Sequence, residues 1–275
     1  MISPPWPSPR RRQRLLVLLP ASVLSVEQDL RDKTYKAGII SRALAIFRVD
    51  EVRIYLDEDS TKDDQELLAE LLSYQVVPPH LKKKVVGISN NLKYAGIMPP
   101  LNLPNHMPPK QPRVGDIIDV LITSKKGAEC SAYLGDAGEG TLRPCAVDKG
   151  SIVTVRVTGV SKELTLEPSS WGNIYTGYTI KRSGRLIDEL QKLKSEGFSI
   201  IGTSKYGITS YSILKDLPKR PVTLVVGGPK SGLLQYSPER LYDIIVNAAP
   251  LQGTETVRSE EALLASLTIL NAFLP

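Results

Sequence analysis

The sequence predicts an α/β fold, a parallel-sheet domain interrupted by a small all-β, OB-like barrel. Three observations carry this. Apolar strand patterns and amphipathic helix patterns alternate toward both ends of the chain, as they do when helices cover a parallel sheet. A linker punctuated by Pro99, Pro100, Pro104, Pro108, Pro109 and Pro112 ends the first alternation. Short β-branched runs separated by Gly-containing turns then follow, a spacing that suits five strands closed into a barrel.

Residues 1–13 are Pro-rich and basic, which predicts a disordered tail. Arg10, Arg11, Arg12 and Arg14 precede an apolar run at 15–24 and together imitate a secretory signal. Pro20 breaks that run and no A-x-A site follows, so residues 15–19 are expected to form a buried strand. Ala37, Ile40, Ala43, Leu44 and Phe47 recur at helical spacing across 34–47. Residues 52–56 read as a second strand and 64–74 as a second helix. Beyond the linker, 116–123, 129–134, 151–160 and 163–167 are read as barrel strands. An extended segment at 171–181 leads back to the α/β pattern. A helix at 184–196, a strand at 199–202, a loop at 203–207 and a short helix at 210–215 come next. Strands at 222–226 and 244–246 and a helix at 259–273 finish the chain. The expected organisation is a tail at 1–13, a discontinuous α/β domain at 14–105 and 171–275, and a β insertion at 106–170.

Composition narrows the function. With 275 residues, 41% of them hydrophobic, the chain can bury a substantial core. Its net charge of +6 suits an acidic partner such as RNA. Cys130 and Cys145 form no CxxC pair and only two histidines are present, so no metal site and a reducing, cytoplasmic setting are expected. No apolar run reaches the ~20 residues of a bilayer-crossing helix, so no membrane partner is expected.

The C-terminal quarter is the most informative region. Residues 227–232, Gly-Gly-Pro-Lys-Ser-Gly, satisfy G-x-x-x-x-G. Leu233 stands where a phosphate-binding P-loop needs Lys, and no Ser or Thr follows. A Rossmann glycine fingerprint should follow the first strand, where this chain has Pro-Ala-Ser-Val-Leu instead. Three strand-end loops remain, at 203–207, 227–232 and 247–256. Any one is a tight turn on its own; three at the ends of apolar strands point to a ligand site.

The segments 39–52 (Ile-Ile-Ser-Arg-Ala-Leu-Ala-Ile-Phe-Arg-Val-Asp-Glu-Val), 225–233 and 247–262 resemble the SPOUT superfamily of trefoil-knotted, S-adenosylmethionine-dependent RNA methyltransferases. Within it, the chain is most similar to the archaeal and eukaryotic branch with an OB-like insert. The resemblance implies a C-terminal trefoil knot, a homodimer packed through it, and ribosomal RNA as substrate. It implies that S-adenosylmethionine lies bent among the three loops. Thr203 flanks it, Gly227, Gly228 and Gly232 admit backbone close to it, and Asn247, Ala248, Pro250, Gln252 and Thr256 close around it. Arg42 matches an arginine that relatives use near the target nucleotide. A solvated ion pair is the other reading of Arg42, and both stay open. Pro229-Lys230 departs from other branches, which place Ser-Glu after the glycine, so no acid–base role is carried over to these positions. Glu260 and Glu261 suit the first turn of the last helix, and Arg258 either pairs with a carboxylate or faces RNA. On the barrel, Lys125, Lys126 and Arg143 are the RNA-binding candidates, with Lys149 also basic and Tyr133 the only aromatic available for stacking; a spacer or dimer-contact role for the insert stays open. The alternative function is a non-catalytic RNA-binding or ribosome-assembly module that keeps the knotted fold.

Overall fold

The computed structural model describes residues 6–217 and 220–274. In chain order the principal elements are β1 (Leu15–Pro20), α1 (Leu30–Ile46), β2 (Glu51–Leu56), α2 (Lys62–Val76), α3 (Pro79–Val85), β3 (Ile117–Lys126), β4 (Glu129–Tyr133), β5 (Glu139–Leu142), β6 (Ile152–Val160), β7 (Leu164–Pro168), β8 (Thr179–Arg185), α4 (Leu186–Ser195), β9 (Ser199–Ile208), β10 (Val222–Val225), α5 (Leu233–Tyr236), β11 (Ile244–Val246) and α6 (Ser259–Phe273). They fall into two compact units.

The larger unit comprises residues 11–75 and 89–100 and the chain from Gly177 onward. Its six-stranded sheet has the order β11-β9-β10-β1-β2-β8, and every pair in it is parallel. All six residues of β1 are buried, the expectation for a central strand covered on both faces. The apolar run that imitates a secretory signal is therefore the middle of the sheet. On one face Leu16, Leu18 and Ile200 pack with Leu186, Leu190 and Leu193 of α4. α1 packs against α6. Asp29 caps α1 by accepting from the Asp32 amide at 2.8 Å. Glu51 is buried at the start of β2 among Arg14, Arg53 and Lys181. Burial pushes its carboxyl up, but the hydrogen bonds from Arg53 and Lys181 outweigh this and hold it below the ordinary value.

Part of the basic N-terminal stretch departs from the tail expected there. Arg11 is buried. Its Nε donates to Phe47 O at 2.9 Å and its Nη2 to Asn271 Oδ1 at 2.6 Å. Buried carbonyls need donors and a guanidinium supplies five, so the segment is pinned. Residues 1–5 lie outside the described residues.

The smaller unit comprises the chain up to Arg10 with residues 76–88 and 101–176, more than the insertion expected at 106–170. It holds a closed barrel of order β3-β4-β5-β7-β6. Neighbours are antiparallel except β5 and β7. Inward residues alternate along the strands, as Cys130 and Ala132 do in β4. β5 occupies what reads in the sequence as a turn around Gly138. Asp119 is buried there and accepts from Asn105 Nδ2 at 2.9 Å, Thr154 Oγ1 at 2.8 Å and Trp171 Nε1 at 2.8 Å.

Cys130 and Cys145 are joined in a disulfide, with Cα atoms 5.8 Å apart. The sequence reading leaves both cysteines unpaired. Cys130 is paired with Leu142 across β4 and β5, and the Cys145 amide donates to Ala128 O at 2.8 Å. Strand pairing brings the two thiols together, which spacing alone does not reveal.

Candidate functional site

In a parallel sheet all strands end on one edge, and that edge is where ligands bind. At the ends of β9, β10 and β11 lies a cavity of about 440 Å³. Its walls come from residues 203–206, 226–235 and 247–249, with Gln252, Thr256, Val257 and the α6 residues Ser259, Ala262 and Ala265.

Each wall is tied to another by a side chain bonded to backbone. Thr203 Oγ1 donates to Val225 O at 3.1 Å, joining the ends of β9 and β10. Asn247 Nδ2 donates to Lys205 O at 2.9 Å, while its Oδ1 accepts from the Ala249 amide at 3.0 Å. That second bond is an Asx turn, which is why Asn suits this corner. Tyr211 OH donates to Asn247 O at 2.6 Å. Ser259 Oγ, at the start of α6, donates to Gly227 O at 3.0 Å. Gln252 Nε2 bonds Thr254 O at 2.9 Å and Glu255 O at 3.0 Å, bracing the loop after β11. Leu251 beside it has φ of 55°, the left-handed region that non-glycine residues seldom occupy.

β9 is longer than expected. It runs to Ile208, yet Gly202 pairs with Ile245 and Ile208 with Val246, so residues 203–207 have no partner in the β11 register. The loop read from the sequence is an excursion within a strand. Gly207 is required there: a Cβ on it would stand 2.4 Å from the Val246 carbonyl carbon.

Thr203, Gly227, Gly228, Gly232, Asn247, Ala248, Gln252 and Thr256 all line the cavity; Pro250 does not. Arg42 does not line it either. It lies on α1, and its Nη1 donates to Pro100 O at 2.6 Å. Arg258 precedes α6. Its amide donates to Glu261 Oε2 at 2.9 Å, and its guanidinium lies 3.7 Å from Glu27 and 3.9 Å from Glu260. Those two carboxylates also flank the buried Lys36 ammonium at 3.1 and 3.0 Å. On the barrel, Arg143 is bonded to Glu129 and Lys125 lies 3.3 Å from Asp148. Lys126 is exposed. The Lys84 ammonium sits 3.8 Å from the Tyr133 ring centroid.

The ionisable residues lining the cavity are Lys205, Tyr206 and Lys230, with no carboxylate or imidazole among them. Behind Gly228 lies a polar cluster that the sequence reading missed. A Cβ on Gly228 would come within 3.2 Å of Asp57 Oδ2 and Tyr236 OH and 3.3 Å of Ser22 Oγ. Asp57 accepts from the Ser22 amide at 3.1 Å and from Ser22 Oγ. Tyr236 OH donates to Asp59 Oδ2 at 2.8 Å, and burial pushes the Tyr236 phenol well up. The available signal was Leu56-Asp-Glu-Asp59, carboxylates directly after a strand of the same edge. Among the described residues no group of His, Cys, Asp and Glu is arranged to hold a metal ion, and no helix is long and apolar enough to cross a membrane.

Comparison with known proteins gives one family whose model, described as "Putative RNA methyltransferase", matches residues 14–270. A protein of Haloarcula marismortui is 29% identical over 286 residues, covering 92% of this chain and 97% of that one. The human 28S rRNA (uridine-N(3))-methyltransferase is 30% identical over 303 residues, covering 94% of this chain and 78% of its own length. Among solved structures, the A. aeolicus TrmH/SpoU tRNA modifying enzyme aligns over 96% of this chain and 77% of its own, at 13% identity and a TM-score of 0.43.

Proposed function

Because the chain belongs to the RNA methyltransferase family whose model spans residues 14–270, we propose that the cavity at the ends of β9, β10 and β11 binds S-adenosylmethionine and that the substrate is ribosomal RNA. The observation that carries this is the convergence of three strand ends on one cavity with walls of small residues. Its volume of about 440 Å³ lies within the roughly 300–1,000 Å³ usual for small-molecule sites. S-adenosylmethionine supplies an electrophilic methyl group when bound. Gly227, Gly228 and Gly232 let backbone approach it, Thr203 stands on one side, and Asn247, Ala248, Gln252 and Thr256 close the other, with Pro250 shaping the loop. With relatives named as 28S rRNA uridine-N3 methyltransferases, a uridine N3 is the acceptor assigned to this chain. The bound cofactor would supply the methyl group to N3, giving up its S–C bond as the N3–C bond forms; the cavity walls hold no carboxylate or imidazole, so the N3 proton would pass to water or to a group outside those walls. Catalysis then rests on orientation and electrostatics.

The same reading includes a trefoil knot formed by β9, β10, β11 and α6, a homodimer packed through it, and a cytoplasmic setting. Arg42 acts on the target nucleotide, and Lys125, Lys126, Arg143 and Arg258 meet the RNA backbone. Calorimetry with S-adenosylmethionine, joined to mass spectrometry of nucleosides from cells with and without the protein, tests the proposal. Cofactor binding and loss of one N3-methyluridine are expected; no binding at millimolar cofactor defeats it. Arg42→Ala is expected to lose methyl transfer and keep cofactor affinity, whereas unchanged turnover removes Arg42 from the site.

A further inference from the structure

Two side chains on the cavity wall play no part in holding the cavity together. Tyr206 is 80% exposed, and Lys205 beside it is also exposed. Their backbone is fixed. Asn247 Nδ2 donates to Lys205 O at 2.9 Å, the Tyr206 amide donates to Ser204 Oγ at 3.2 Å, and Gly207 is pressed against the backbone of Val246. The Lys205 ammonium lies 5.2 Å from the Tyr206 ring centroid. A rigid turn therefore presents a phenol ring and a cation together, on the wall of the proposed methyl-donor site.

An RNA base drawn out of its stack needs an aromatic face to lie on and a cation for the adjoining phosphate. The barrel offers this poorly. Tyr133 is half-buried, with the Lys84 ammonium close against its ring at 3.8 Å, and Arg143 and Lys125 are engaged with Glu129 and Asp148. We infer that Tyr206 stacks on the target base and Lys205 holds the phosphate next to it. This rests on the methyltransferase reading above and names where its RNA substrate is seated.

The test compares wild type with Tyr206→Ala, Tyr206→Phe and Lys205→Met. S-adenosylmethionine affinity is measured by calorimetry, and binding of a labelled uridine-containing RNA stem-loop by anisotropy across salt concentrations. Methyl transfer is followed into RNA from cells lacking the protein, and oligomeric state by sedimentation. Tyr206→Ala is expected to keep cofactor affinity and sedimentation while RNA affinity and kcat/KM fall roughly 5- to 150-fold, the span of base–aromatic stacking. Tyr206→Phe retains both within about twofold, since its ring stacks as well. Lys205→Met lowers the salt slope of RNA binding by about one. The inference is overturned if Tyr206→Ala leaves RNA affinity unchanged, loses cofactor affinity in step with it, or changes the sedimentation of the protein. If wild type fails to bind S-adenosylmethionine, the methyltransferase reading falls, while the anisotropy arm, which needs no cofactor, still decides whether Tyr206 receives a base.

Discussion

Along one edge of a single parallel sheet, the strand ends are finished in two ways. Those of β1 and β2 are sealed: Asp57, 7% exposed, takes the amide and hydroxyl of Ser22 and closes the gap between them. Those of β9, β10 and β11 stay open around about 440 Å³. Their bonds run from one loop to the backbone of the next, Thr203 to Val225, Asn247 to Lys205 and Ser259 to Gly227, and none fills the space they surround. A side chain that reaches across strand ends shuts the edge. Side chains that brace neighbouring backbones hold it apart, and small residues then set the room left inside.

Breaking the seal should have the largest effect. Asp57→Ala leaves the Ser22 donors buried without an acceptor, and urea denaturation should register a loss of about 3 kcal/mol. The next effect applies the same rule to the smaller unit, where a buried polar group has one saturated role. His106 Nε2 donates to Val76 O at 3.1 Å. Burial pushes its imidazole from the ordinary 6.5 down to about 4. The unfolded chain then takes up the proton first as pH falls, so the contribution is full above 6.5 and drains between 6.5 and 4. Melting temperatures across that window should show about 3 kcal/mol lost at its acid end, and His106→Gln should flatten the slope.

Moving the open half toward the sealed one is a finer change. Gly228→Ala sets a methyl against Asp57, Tyr236 and Ser22 at 3.2–3.3 Å and displaces the loop. Affinity for S-adenosylmethionine should weaken about tenfold, or about 1.4 kcal/mol. Gly232→Ala meets no protein atom within 4 Å, so its urea midpoint should match wild type. Smallest is Arg143→Ala on the barrel. It removes an exposed pair with Glu129, and its stability should stay within about 1 kcal/mol of wild type.

The open half was far more legible in the sequence than the sealed half. β11 and α6 lie where the apolar run and helical spacing place them, at Ile244–Val246 and Ser259–Phe273. The three loops were legible because Gly, Asn and small residues after apolar strands carry local information, and eight of the residues that the family resemblance names in them line one cavity. β8 was read only as an extended connection. Its sequence Thr-Ile-Lys-Arg-Ser-Gly-Arg lacks apolar alternation, which an edge strand does not need. β5 reads as a turn because its strand character comes from pairing with β4 and β7. The contact of Gly228 with Asp57 and Ser22, like that of Arg11 with Asn271, joins residues far apart in sequence, and no periodicity encodes it.

The position of β1 also has a consequence in time. Its ladder is formed by β2 on one side and by β10 on the other, with Leu15 opposite Val222. A ribosome adds roughly 5–20 residues per second. Residue 15 thus waits roughly 10–40 s for residue 222 to be made, with one side of Leu-Leu-Val-Leu-Leu unpaired throughout. The strand that ends as the most protected part of the sheet is, while the chain is being born, its longest-exposed aggregation hazard.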